Sequence, residues 1–513
     1  MTARSKLPRP LALMGAMTLA AVSANAAVIN VTTNDNYTMI ESAQAGDVVL
    51  IAPGTYSFRV YLTRQASVTN PITIGALEPT NPPVWDFGTN YVENAPGSYT
   101  AGDRGRGGWQ FSGAQNYDVS GIVFRHCRTS TYNSAGIRYY NSTTNLYVKN
   151  CLFDQDDNGL TGGTQNSAAT VEFCEFNANG NTNASSSSPT HNIYVYGGWL
   201  TLRYCYVHDP VQGQNFHIRC RFATLEYNWF ARANSYEGDL MTDDDFTGAG
   251  PFSQTMTLRG NVIIQKNAPQ NHSQVIAIYN DAGLANLTLN LQSLYNTFVG
   301  NGGSAAFVHV SNADQTSMNA GLYDNIVSGT TLPVLIEYTN TGIVTGMNNW
   351  LPTGATIGPL TGSVRSALPG FRNAAAEDYT LTSNSACLGA ANAAVFGLPG
   401  KEYYLNEITN CQWRIRNAAR DLGAFESTST NPPVGPYDPY PRPPLSAALS
   451  NGISNVTISW PLFAQDFVLQ QSALGSPALA WNNAATALVT NATGIAAAAP
   501  ITATGSLYRL FAP

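Results

Sequence analysis

The sequence predicts an all-β chain built as a right-handed parallel β-helix, and three features predict it. A short phrase recurs eight times between residues 119 and 327, with Ile122, Cys151, Cys174, Cys205, Asn228, Asn261, Asn296 and Asn325 at its third position. Its fifth position carries Phe124, Phe153, Phe176, Val207, Phe230, Ile263, Phe298 and Val327. Successive copies lie 23 to 35 residues apart, the period of a solenoid whose coils cover one another's apolar faces. Within each copy apolar residues alternate and no helical period is present, so the unit is a strand.

Stacking explains the column of cysteines and asparagines. Coils sit one strand spacing apart, about 4.8 Å, so identical side chains form ladders. An interior Asn at a bend bonds the turn backbone and the Asn above it, satisfying groups that a corner would strand. With no CxxC pair and no Cys/His cluster, the cysteines are read as small buried fillers rather than metal ligands or redox groups. The chain has seven cysteines, an odd number, so at least one stays unpaired; Cys387 and Cys411 form a candidate disulfide in the C-terminal cap.

The elements follow in order. Residues 1–26 read as a secretory signal: Arg4, Lys6 and Arg9, an apolar run of 12 residues from Leu11 to Val22, then Ala24-Asn25-Ala26. That run is too short to span a bilayer, and its removal takes the formal charge from −7 to −10. A secreted protein, extracellular, periplasmic or attached to the cell surface, is therefore expected, with no membrane span. The β-helix domain is assigned to 27–426. GDVVLIAPGTY (Gly46 to Tyr56) and NPITIGA (Asn70 to Ala76) resemble the opening coil of secreted β-helix proteins, and Pro369 to Glu426 resembles their closing segment, giving a cap over about 351–426. Residues 427–444 hold seven prolines between Pro432 and Pro444 and read as a semi-rigid linker. Beyond it, 445–513 carry two charged residues, Asp466 and Arg509, and alternate like a small β-sandwich suited to attachment.

Chemistry is expected on one outward sheet face. After each ladder residue comes a second strand, as in GIRYY (Gly136 to Tyr140), HNIYVY (His191 to Tyr196), FHIRCR (Phe216 to Arg221) and GDLMT (Gly238 to Thr242). Alternation sends Ile137, Ile193, Val195, Phe216, Ile218 and Leu240 inward. The opposite parity, Arg138, Asn192, Tyr194, Tyr196, His217, Arg219, Arg221 and Asp239, then faces out, with Glu237 just before its strand, and an exposed groove is expected. Such a surface suits a uronate polymer. In β-elimination the enzyme neutralises the uronate carboxylate, removes the proton on the adjacent carbon and protonates the leaving oxygen. Arg219 or a bound Ca²⁺ fits the first task; His217, near neutral pH, is the natural base. Tyr194 or His208 fits the acid. Arg221, Arg138, Asn192, His191 and Tyr196 are candidate substrate contacts, and Glu237, Asp239 and Asp243 candidate Ca²⁺ ligands through hard oxygens.

A resemblance sharpens this assignment. The ordered motifs DNGLTGG (Asp157 to Gly163), FNANGN (Phe176 to Asn181), HNIY (His191 to Tyr194), YVHDPVQGQNFHIRCR (Tyr206 to Arg221), SYEGDL (Ser235 to Leu240) and YNTFVGN (Tyr295 to Asn301) resemble a group of exported bacterial right-handed β-helix proteins in the pectate-lyase-like superfamily. In that group the middle motif reads GHxxKSR and the next SYExDLP. Here Gln214 replaces the His and His217 the Lys, while Arg219, Glu237 and Asp239 match. The resemblance covers about residues 45–330 and implies a polysaccharide lyase, with the Lys and Arg of similar alginate and chondroitin lyases as base and acid. Loss of that Lys leaves His217 or Arg219 as the base.

The expected partner is an anionic polysaccharide, with no nucleic acid, and the chain is expected to be a monomer. Two other classes fit the fold: a glycoside hydrolase, for which Glu237, Asp239 and Asp244 are the nearby carboxylates, and a non-catalytic carbohydrate-binding or adhesion protein. The NTD, GHG and RIK series of polygalacturonases is absent.

Overall fold

A computed structural model describes residues 27–435 apart from 100–105, 185–189, 244–249, 267–273, 281–285, 301–305, 312–316, 330–335, 339–341 and 405–410. It further describes 445–449, 455–460, 468–473, 482–491, 494–500 and 506–511. Residues 1–26, where a signal is expected, and 436–444, within the expected linker, lie outside the described residues.

Each coil of the β-helix presents three faces. In one coil these are Ala135–Tyr140, Thr144–Lys149 and Leu152–Asp154, called here the first, second and third face. Every strand on the three faces pairs parallel with the equivalent strand of the next coil, as Tyr147↔Thr170 and Phe153↔Phe176 illustrate. The third face is a 12-stranded sheet, and the first and second together form one sheet of 20 strands. They join because Ile193–Arg203 and Phe216–Glu226 run unbroken around the corner between them. Inward residues fill the coil in ranks. Phe124, Phe153 and Phe176 stack at 5.1 and 4.5 Å between ring centroids.

The corner between second and third faces is where the chain is most constrained. At each one a residue adopts the left-handed conformation: Gly121, Asn150, Phe173, Tyr204, Tyr227, Gly260, Tyr295, Asp324 and Asn348. The next residue is the ladder residue, whose amide points along the stack. Asn228, Asn261, Asn296 and Asn325 form one continuous column, each N–H donating to the Oδ1 of the next Asn at 2.9 to 3.0 Å. The column continues one rung past the sequence repeat, to Asn349. In the earlier coils sulfur substitutes, with Cys151 N–H donating to Cys174 Sγ and Cys174 N–H to Cys205 Sγ, both at 3.5 Å.

The ends differ from expectation in two respects. A five-residue helix, Tyr37–Glu41, N-capped by Asn36, plugs the first coil with Ile40; it is too short to leave a helical period in the sequence. Cys387 and Cys411 are not bonded to each other, because they are buried in separate clusters. Cys411 Sγ instead reaches Cys174 O. The segment around 371–434 forms small antiparallel pairs and folds back over the third face, with Trp413 stacked on Tyr204 at 5.3 Å and Arg232 bonded to Glu377 at 3.2 Å. The last described residues form antiparallel sheets of four and three strands.

Asn261→Ala would strip the partners from Asn228 N–H and from Leu225 O, both buried. Each orphaned group costs about 1–3 kcal/mol, so a loss of roughly 3 kcal/mol or more is expected in chemical denaturation. An unchanged midpoint would show that the ladder is not what holds the corners.

Candidate functional site

On the first face one outward column reads Arg138, Thr161, Tyr194, His217, Asp239, Ala277 and His309, each in register with the next. The inward neighbours Ile193, Phe216, Ile218 and Leu240 lie in the coil core. Gly238 belongs to this packing, because a Cβ there would meet the Phe216 ring at 1.9 Å. The column is therefore fixed by what its alternate residues bury.

At its centre, three side chains form a line. Asp239 meets His217 Nδ1 at 2.9 Å, and Arg219 Nε–H donates to His217 Nε2 at 3.0 Å. These partners assign the proton to Nδ1 and a lone pair to Nε2. Gln214 Nε2 donates to Asp239 at 3.1 Å, and Arg219 Nη1 donates to Thr242 O at 2.7 Å. His191 lies flat against His217, ring centroids 4.6 Å apart and planes 5° from parallel. Its Nδ1 accepts from the Gln214 amide at 3.1 Å, an approach that needs Gly213, where a Cβ would lie 2.4 Å from that nitrogen. Burial, and then the neighbouring His217, hold the His191 pKa well below the usual imidazole value, so it is a neutral plate. Tyr194 stands edge-on to both imidazoles, at 5.5 and 4.7 Å, and to Tyr196 at 5.7 Å.

The structure thus brings together Tyr194, Tyr196, His191, His217, Arg219 and Asp239. The groove is less open than expected. His217, Arg219 and Asp239 are buried although none belongs to the coil core, and Tyr194 and Tyr196 are half-buried. Arg138 is half-buried two coils below Tyr194, its Nη1 at 3.4 Å from Asn133 O. Arg221 is exposed at the corner between first and second faces.

Four expectations are corrected. Asn192 is not an outward substrate contact. It precedes its strand, at the bend from the third face, and forms a second interior ladder: Asn179 donates to Asn192 at 2.9 Å, Asn192 to Asn215 at 2.8 Å and Asn215 to Glu237 at 2.7 Å. Glu237 is accordingly inside as well, its other oxygen accepting from Ala233 N at 2.9 Å. His208 lies on the third face, stacked on Tyr206 and held by Asp209 at 2.8 Å and Glu175 at 3.2 Å, so it is not part of the first-face group. Burial opposes its charge and these two carboxylates outweigh that, raising its pKa. Asp243 spends an oxygen on Gly197 N–H at 2.9 Å. Glu237, Asp239 and Asp243 therefore do not converge as a Ca²⁺ site, and no cluster of metal-binding side chains occurs among the described residues; Asp244 and Asp245 lie outside them.

Gln214, Thr242 O and the supporting role of His191 were missed from sequence. A main-chain carbonyl has no sequence signal. The second ladder did have one: Asn192 and Asn215 stand immediately before Ile193 and Phe216.

No protein-family model and no curated protein matches the sequence. Solved structures of similar shape include pectate lyase Pel9A, 14% identical with a TM-score of 0.47 over 79% of this chain and 97% of that one. An alginate lyase from Paenibacillus sp. str. FPU-7 is 13% identical with a TM-score of 0.42, over 62% of this chain and 99% of that one. A tailspike, gp49 from Acinetobacter baumannii bacteriophage Fri1, a capsular polysaccharide depolymerase, is 10% identical with a TM-score of 0.35, over 95% of this chain and 85% of that one. These likenesses concern the shape of the chain alone.

Glu237 offers a test of the interior ladder. Burial pushes its pKa up to about 8 from 4.5, so between those values the folded chain holds a proton that the unfolded chain has lost. Stability from this group is then full below the unfolded value and falls as pH rises through the folded one. Between pH ~5 and ~9 the melting midpoint of Glu237→Gln should gain on that of the parent chain. A difference independent of pH would mean that Glu237 is not buried and neutral.

Proposed function

We propose that the chain is an exported polysaccharide lyase that acts, as a monomer, on a uronic-acid-containing anionic polysaccharide by β-elimination. The observation that carries this reading is the hydrogen-bonded line Asp239, His217, Arg219 on the outward side of the first face, with Tyr194 in the same column as His217 and Asp239. The basic and apolar pattern of residues 4–22 supports export.

Asp239 holds the His217 ring with its proton on Nδ1, leaving Nε2 as the basic atom. In the free protein Nε2 accepts from Arg219. A carboxylate is a stronger acceptor for a guanidinium than a neutral imidazole, so a bound uronate draws Arg219 to itself and uncovers the Nε2 lone pair. That lone pair takes the proton from the carbon beside the carboxylate. The electron pair left behind forms the carbon–carbon double bond as the glycosidic carbon–oxygen bond breaks, and Tyr194 protonates the departing oxygen. Arg219 stabilises the charge that builds on the carboxylate, the largest demand of the reaction. His191, neutral and stacked, supports the imidazole without competing for the proton. No step is routed through Ca²⁺. A hydrolase needs paired carboxylates at the bond, and Glu237 is turned into the coil while Asp239 is committed to His217 and Gln214.

Purified protein tested against alginate, pectate, chondroitin, hyaluronan, ulvan and bacterial exopolysaccharides should release products with the ultraviolet absorbance of an unsaturated uronate. His217→Ala should lower that rate about a hundredfold or more, and Asp239→Asn should also slow it. Full elimination by His217→Ala would place the base elsewhere. New reducing ends without the absorbance would mean hydrolysis.

A further inference from the structure

Just past the corner that follows the candidate site, Trp199 and Phe222 stand in register on consecutive coils. Their rings lie 6.2 Å apart and 20° from parallel, and they are 43% and 41% exposed. Apart from Tyr91, they are the exposed large aromatic residues among the described residues. Their neighbours in the column are small: Ala168 pairs with Trp199, and Thr255 with Phe222. Farther along, the same column carries Asn290 and Asn319, so the second face does not need apolar rings here to pack. Keeping them in water forgoes the favourable burial of apolar area.

Two features tie the pair to the site. Ile193–Arg203 carries both Tyr194 and Trp199, and Phe216–Glu226 carries His217, Arg219, Arg221 and Phe222. The five-residue separation on each strand corresponds to roughly 16 Å of extended backbone before the bend, the scale of a few sugar residues. Arg221, exposed, holds its guanidinium 5.9 Å from the centre of the Phe222 ring, which places a cation beside an apolar platform.

We infer that Trp199, Phe222 and Arg221 form a distal binding subsite for the same polymer. The two rings take the apolar face of a pyranose ring and Arg221 pairs with the carboxylate of that or the adjoining uronate. The inference rests on the uronate-polymer reading of the main site, but its binding test does not require cleavage.

Full-length protein run through gels containing alginate, polygalacturonate, chondroitin sulfate, hyaluronan or neutral dextran should be retarded by at least one acidic polymer and not by dextran. The double variant Trp199→Ala, Phe222→Ala should weaken that retardation about tenfold with no loss of folded signal in circular dichroism. Arg221→Gln should remove much of its salt sensitivity. On a polymer that is cleaved, the double variant should raise KM more for the polymer than for a short oligosaccharide. Aromatic-dependent retardation without unsaturated product would keep the subsite and sink the lyase reading. Cleavage and retardation that are the same in the double variant would sink the subsite and keep the lyase. The subsite is also overturned if no acidic polymer retards the chain, or if the parent chain self-associates in sedimentation and the double variant does not, which makes the rings a contact between copies.

Discussion

The structure depends on how the chain turns the corner between its second and third faces. A residue in the left-handed conformation costs about 1–2 kcal/mol when it is not glycine, and most of these corners use a residue with a side chain, including Phe173, Tyr204, Tyr227 and Tyr295. The cost is tolerable because the next amide is captured by a side chain of the following coil. Each coil therefore completes the hydrogen bonding of the one before it, and its register cannot slip without exposing a buried amide. The aromatic rings at these corners recover energy by stacking: Phe173 on Tyr204 at 5.0 Å, then Tyr204 on Tyr227 at 5.9 Å. They also form the floor on which the closing segment packs, with Trp413 and Tyr403 in the same cluster.

That fixed register is what aligns Tyr194, His217 and Asp239 on three successive coils. The polar groups there lie outside the coil core yet are buried, where an unpaired donor or acceptor would be costly. His217 has a partner at each nitrogen, Gln214 donates to Asp239, and Arg219 donates to Thr242 O. A network of this kind holds one ring orientation and one tautomer. Glu237 and Asp239, two residues apart, show how sharply position decides chemistry: the first ends an interior ladder and is neutral over much of the physiological range, while the second pairs with an imidazole.

The fold was legible because a solenoid writes its geometry as a repeat: the Cys and Asn column of the sequence is the hydrogen-bonded column of the structure. Its last rung, Asn349, was missed because Gly346 stands three residues before it, where most copies carry Val or Leu, although Leu351 two residues after it keeps the phrase. In the candidate site, alternation located Tyr194, His217, Arg219 and Asp239 but failed at Asn192 and Glu237. Both sit one residue before their strands, at a bend where period-two alternation has not begun. Placing His208 failed for another reason. Closeness in sequence to His217 says nothing about which face a residue occupies, and eight residues are enough to carry the chain from the third face to the first.

The two strands that carry the central residues also depart from the coils that precede them. In the two preceding coils the first and second faces are separated by a turn, at residues 141–143 and 163–167, but Ile193–Arg203 and Phe216–Glu226 pass the corner without a break in the strand. Gly197 and Gly198 make this possible in the first of them, since a Cβ at either would lie within 2.2 Å of Thr164 or 1.9 Å of Ser167 main-chain atoms. Asp243 then secures the bend by accepting from Gly197 N–H at 2.9 Å. A corner bridged by paired strands has less freedom than one closed by a loop, because its ladder hydrogen bonds continue through the bend. The imidazole line on one side and the exposed Trp199 and Phe222 rings on the other are thus held at a fixed separation. Rigid spacing of this kind is what the proposed lyase would require, since an extended polymer held at the rings would then present one particular linkage to His217.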